Sequence, residues 1–163
     1  MRRRTFSLLL TAVVIACAFN VSRATAQTNV RVLGTWVMDN DKSTFSGAAP
    51  DKRTMKFETV PDGIRHTTDT VNSGGFGFRD TYRLQYTFKI DGKDYPADPA
   101  MPLSTVSFKR VDANTLERTG KYQNEILETV TYVVSRDGKT LTVTQRGTLN
   151  GADVSSRQIF TRQ

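Results

Sequence analysis

Only one histidine occurs in the 163-residue chain, His66, and it decides several questions of chemistry together. A metal centre built on several imidazoles is excluded, and a Ser-His-Asp triad would have to be assembled on this one ring. Its period-two neighbours are Ile64 and Thr68, and no Gly-x-Ser-x-Gly turn lies near it to present a nucleophile. His66 therefore reads as a structural strand residue without a catalytic role. Asp39-Asn40-Asp41-Lys42-Ser43 opens with the alternating oxygen ligands of a calcium loop, but Thr44 stands where the turn needs Gly and Pro50 where a bidentate Glu must close it. The run reads as a turn after a strand. Carboxylates for glycoside chemistry would come from scattered residues such as Glu58, Glu117, Glu125 and Glu128. Glu125 and Glu128 fall on opposite faces of a regular strand, so they cannot flank one bond without an irregularity between them. Gly74-Gly75-Phe76-Gly77 lacks the Lys-Ser/Thr ending and the following helix of a phosphate cradle, and reads as a hairpin or portal loop. No catalytic constellation, metal site or cofactor site emerges, and the chain reads as a binding protein rather than an enzyme.

The elements that position these residues are strands. Residues 27–163 hold 20 Thr, 12 Val and 4 Ile against 6 Ala, 7 Leu and 3 Met. Side chains branched at Cβ lose rotamer freedom in a helix and fit a pleated surface. Tyr82, Leu84, Tyr86, Phe88 and Ile90 alternate with Arg83, Gln85, Thr87 and Lys89, and a period of two puts each set on its own face. By the same rule Ile126, Val130, Tyr132 and Val134 share a face. Short turn signals punctuate these runs: Pro61-Asp62-Gly63, Asp91-Gly92, Asp112-Ala113-Asn114, Arg136-Asp137-Gly138 and Asn150-Gly151. Strands are predicted near 32–39, 53–60, 63–71, 79–90, 93–96, 104–111, 115–122, 126–135, 139–147 and 153–161, with irregular stretches at 43–51 and 72–77 and a third break at Pro96, Pro99 and Pro102. Connections this short leave no room for crossover helices, so consecutive strands pair antiparallel. The expected fold is all-β, an up-and-down meander of about 8–10 strands that removes its edges by closing into a barrel.

The N-terminal segment is of another kind. Four of the 23 basic residues, Arg2, Arg3, Arg4 and Arg23, lie in the first 26 positions with no acid, leaving 19 basic against 16 acidic groups and a net +3 for the remainder. So small an excess gives no case for nucleic-acid binding. Arg2–Arg4 precede the apolar run Phe6–Phe19, too short for a spanning helix, and Ala24-Thr25-Ala26 supplies a small-x-small cleavage site. Residues 1–26 thus read as a signal peptide, and 27–163 as one barrel domain without a transmembrane segment, placed in the periplasm or secreted. The rival is a lipoprotein anchored through Cys17, since Val14-Ile15-Ala16-Cys17 has the form of a lipobox, and Arg3-Arg4-Thr5-Phe6 hints at twin-arginine export. Cys17 is the only cysteine, so cleavage after Ala26 leaves a domain that neither a disulfide nor a thiol nucleophile can serve.

Gly34-Thr35-Trp36 at the start of the first strand resembles the Gly-x-Trp signature of the lipocalins and the wider calycin group. Taken with Lys42-Ser43, Asp91-Gly92-Lys93-Asp94-Tyr95-Pro96, Val106–Asn114 and Ser135–Thr144, the mature chain resembles small secreted bacterial lipocalin-like proteins, a group with no established chemistry. The resemblance implies barrel closure by Gly34 and Trp36, with a basic residue of the last strand, Arg162 or alternatively Arg157, lying across the indole. A Thr-Asp-Tyr type motif, another lipocalin signature, is not evident.

A barrel of this size is either filled by side chains or holds a small ligand. Thr68, Ser107 and Ser156 are taken to share the apolar parity and to leave space. The expected partner is then a small apolar or amphipathic molecule, in a cavity lined by Phe57, Tyr82, Leu84, Tyr86, Phe88 and Tyr132. The alternative is an envelope protein-interaction or inhibitor module with a filled core and no ligand.

Overall fold

A computed structural model describes residues 30–73, 79–149 and 151–163. The expected signal peptide 1–26, the expected cleavage site before Gln27, Cys17 and most of the glycine-rich loop lie outside these residues. The ten strands are β1 Gly34–Phe45, β2 Lys52–Val60, β3 Gly63–Ser73, β4 Arg79–Phe88, β5 Asp94–Pro96, β6 Thr105–Arg110, β7 Thr115–Tyr122, β8 Glu125–Val134, β9 Thr140–Leu149 and β10 Ala152–Arg162. They form one antiparallel sheet in the order β4-β3-β2-β1-β10-β9-β8-β7-β6-β5. The meander curls until its first strand pairs with its last, Trp36 opposite Arg162 and Met38 opposite Phe160. The sheet is therefore a nearly closed barrel whose single seam lies between β4 and β5. Among the described residues no helix is long and apolar enough to cross a membrane.

Two regions differ from the sequence reading. Strand β1 continues to Phe45 although its residues past Asp39 are polar, because it loops out and rejoins β10: Asp39 pairs with Ile159 and Thr44 with Arg157. Within that loop Asp39 accepts from Lys42 Nζ at 2.7 Å, and Ser43 Oγ donates to the Asp39 carbonyl at 2.6 Å. The second difference is in β8. Gly120 pairs with Glu128 but Lys121 pairs with Ile126, leaving Leu127 as a bulge. An extra residue inverts parity, so Ile126 is 65% exposed while Val130, Tyr132 and Val134 are buried. Ser107 is also corrected: it lies between buried Val106 and Phe108 and so faces outward.

One end of the barrel is packed solid. Phe88 and Phe108 stack with centroids 3.6 Å apart, Phe57 stacks on His66 at 4.3 Å, and Tyr132 meets Phe57 edge-on at 5.7 Å. Trp36 is fully buried and donates its indole N–H to the Val32 carbonyl at 2.7 Å. The Arg162 guanidinium lies 4.1 Å from the Trp36 ring centroid and donates to the carbonyls of Leu33, Arg31 and Gly138. Gly34 has φ +125°, and a Cβ there would stand 2.5 Å from Arg162 Nη1. Backbone freedom and space both demand glycine at this position.

Candidate ligand cavity and its polar wall

The other half of the barrel is open, with a cavity of about 620 Å³, within the roughly 300–1,000 Å³ of small-molecule sites. The interior is thus neither wholly filled nor wholly open. Apolar wall comes from Met55 on β2, Leu84 on β4, Leu127 and Val130 on β8, Val143 on β9 and Val154 on β10. At the seam, where no ladder exists, Ala100, Met101, Pro102 and Leu103 supply the wall instead. This strap is pinned by Asp98. One carboxylate oxygen accepts the Gln85 amide of β4 at 2.7 Å and the other accepts the Ala100 amide at 2.9 Å, while Ala97 N–H to Ser104 O at 3.1 Å ties its ends.

Of the residues expected to line a cavity, Tyr82, Leu84 and Tyr132 do so. Phe57 and Phe88 belong to the packed end, and Tyr86 is buried at the boundary. Sequence reasoning missed the polar wall. Arg118 of β7, 6% exposed, donates through Nη1 to the Tyr86 hydroxyl at 2.9 Å and through Nη2 to the Glu128 carboxylate. Glu128 also accepts from Gln145 Nε2 at 2.6 Å. Arg118 Nε is buried and has no acceptor. Both sheet neighbours of Glu128 are glycines, Gly120 and Gly147. A Cβ at Gly120 would lie 2.8 Å from Glu128 Cγ, and one at Gly147 would lie 2.8 Å from Glu128 Cβ. The two glycines and the Leu127 bulge thus make the niche in which the carboxylate reaches Arg118. The bulge also returns Glu125 to the inward parity, but Glu125 is exposed and does not line the cavity.

His66 continues this network. Its Nδ1 is 2.7 Å from the Tyr86 hydroxyl and its Nε2 is 3.1 Å from Thr68 Oγ1. Burial, reinforced by the Arg118 charge, lowers the imidazole pKa to about 3, so the ring is neutral. The Tyr86 and Thr68 hydroxyls thus hold the two nitrogens of a neutral imidazole, one meeting its N–H and the other its lone pair. Burial also raises the Tyr86 and Tyr132 phenols, which therefore stay protonated. A second guanidinium, Arg53 of β2, donates to Thr70 Oγ1 at 3.2 Å and to Gln158 Oε1 at 2.8 Å. Signals for the network were present: Arg118 shares the parity of Leu116, and Arg53 that of Met55 and Phe57. A long charged side chain on an apolar face is an anomaly in a half-buried strand.

No family model and no curated protein matches the chain. Solved structures do. A fatty-acid-binding protein of Schistosoma mansoni in complex with arachidonic acid superposes with TM-score 0.51 at 13% identity, covering 82% of this chain and 96% of that one. As-p18, an extracellular fatty-acid-binding protein, gives 0.49 at 15%, covering 82% and 96%. Zebrafish ileal bile-acid-binding protein complexed with cholic acid gives 0.48 at 12%, covering 82% and 99%. At these identities the likeness is one of fold. The chain has the all-β, nearly closed barrel of calycin type that the Schistosoma protein also has.

Proposed function

We propose that the chain is an exported carrier of a small amphipathic molecule held inside the barrel. The carrying observation is the cavity itself, largely apolar and with the guanidinium-bearing, buried Arg118 among its lining residues. An oxygen brought in by a ligand can accept from that guanidinium, a charged donor, while the apolar body covers Met55, Leu84, Val130 and Val143. At about 25 cal/mol per Å² of apolar surface removed from water, such a molecule reaches micromolar affinity without a covalent or metal anchor. The fold shared with a fatty-acid-binding protein supports this reading. Titration of the domain from Gln27 onward with a dansyl-labelled undecanoic acid tests it: one saturable site, displaced by unlabelled long-chain acids or alcohols, is expected. Absence of saturable binding across a panel of lipids and apolar dyes would overturn it.

A further inference from the structure

The cavity carries two guanidiniums whose electrostatic circumstances differ, and the difference specifies the ligand more closely. Arg118 is already neutralised. Its partner Glu128 is as buried as it is, with side chains 8% and 12% exposed, and is held in place by Gln145 Nε2. The bonds to Tyr86 and Glu128 use two of the five N–H groups of a guanidinium, and what this pair offers the cavity is the remainder of the Arg118 head group that lines it. A ligand carboxylate brought there would share one guanidinium with a second buried carboxylate, a like-charge approach that is severely unfavourable at low dielectric. A hydroxyl or keto oxygen can accept from that guanidinium without the repulsion.

Arg53 is the opposite case. Both of its acceptors, Thr70 Oγ1 and Gln158 Oε1, are neutral, and among the described residues it has no ion pair with a carboxylate. The Gln158 amide is itself fixed by donating to Ser156 Oγ at 2.9 Å, which turns its oxygen toward Arg53. Arg53 thus brings an oriented, uncompensated positive charge to the cavity wall. Asp80, the remaining charged lining residue besides Glu128, is exposed to solvent.

Resting on the carrier reading above, we propose that the ligand is an oxygenated long-chain acid: its carboxylate pairs with Arg53, and a hydroxyl or keto oxygen further along the chain accepts from the Arg118 guanidinium. The acid is then recognised by the half-exposed cation, and the buried Arg118–Glu128 pair serves as a neutral-oxygen reader.

The test is a calorimetric titration with a positional series of oxo-octadecanoic acids, the unsubstituted acid, and the methyl ester of each. For the parent, at least one oxo isomer should bind about tenfold tighter than the unsubstituted acid, and the acids about tenfold tighter than their esters, the scale of one hydrogen bond to a charged group. Arg53→Gln should abolish the acid-over-ester preference and keep the oxo preference. Arg118→Met combined with Glu128→Gln, which leaves no unpaired buried charge, should do the reverse. The parent comparisons alone decide the matter if the double variant does not fold. Equal binding of unsubstituted and oxo acids, or loss of the acid preference on changing Arg118 rather than Arg53, would overturn the inference while leaving the carrier intact. No binding by any member defeats the carrier reading itself.

Discussion

His66 is neutral in the folded barrel because burial, helped by the Arg118 charge, lowers its pKa from 6.5 to about 3. The unfolded chain therefore binds a proton that the native state refuses between these values. Stability contributed by the neutral ring is fully present above pH 6.5 and is lost as pH falls from there toward 3. Replacing His66 with Gln should flatten the acid limb of denaturant midpoint against pH across this window, at the cost of about 1–3 kcal/mol at pH 7 from the disturbed Tyr86 and Thr68 hydrogen bonds. An unchanged acid limb would show that His66 does not set it. Gly34 is the second residue with a sharp requirement, since a methyl group there meets Arg162 Nη1 on a backbone of φ +125°. Gly34→Ala should lower stability by more than about 1 kcal/mol, through strain and displacement of the guanidinium from Trp36. Equal urea midpoints for variant and parent would contradict that role. The role of Gly34 beside Trp36 was implied by the resemblance of Gly34-Thr35-Trp36 to the lipocalin signature. The partners of His66 could not be read from the sequence, because Tyr86, 20 residues away, and Arg118, 52 away, become neighbours only through strand register.

Among the elements, the strap of residues 97–104 replaces a strand ladder at the seam; Ser104 ties it to β7 through the Lys121 carbonyl, and the Asp98 carboxylate ties it to β4. Asp98→Ala frees the Gln85 amide to water, where it is readily solvated, so the fold should survive while the strap loosens. Stopped-flow association and dissociation of a bound fluorescent acid should both quicken several-fold, with the equilibrium constant nearly unchanged. Rates equal to those of the parent would show that the strap does not gate the cavity. Three prolines marked this stretch as a break in the ladder, but its return to the barrel wall depends on Met101 and Leu103 finding the apolar interior. The alternation of β4 was legible because no bulge interrupts its ladder with β3. That of β8 was misread at Ile126, since one inserted residue, Leu127, inverts parity without changing composition. Gly120 and Gly147 were the available hint: glycines on both strands facing one Glu signal a side chain that needs room.

At the scale of the molecule, closure of β1 on β10 follows from ten short antiparallel strands and could be argued from turn spacing. The size of the opening could not, because it depends on how far the inward aromatic and aliphatic side chains fill the interior. Export is expected to yield a chain beginning at Gln27, checked by the intact mass of material recovered from outside the cytoplasm; a lipid-modified Cys17 would replace this with an anchored form. The central claim, that the ligand occupies the barrel itself, is tested most directly by filling the cavity from its wall. Leu84 lines it and is part-buried, so Leu84→Trp projects an indole into the space with little disturbance of the packed end. Titrated side by side with the parent by calorimetry, the variant should keep the parent's unfolding free energy to within about 1 kcal/mol and bind the long-chain acid at least tenfold more weakly; equal affinity in a folded variant would contradict the claim and place the ligand outside the barrel.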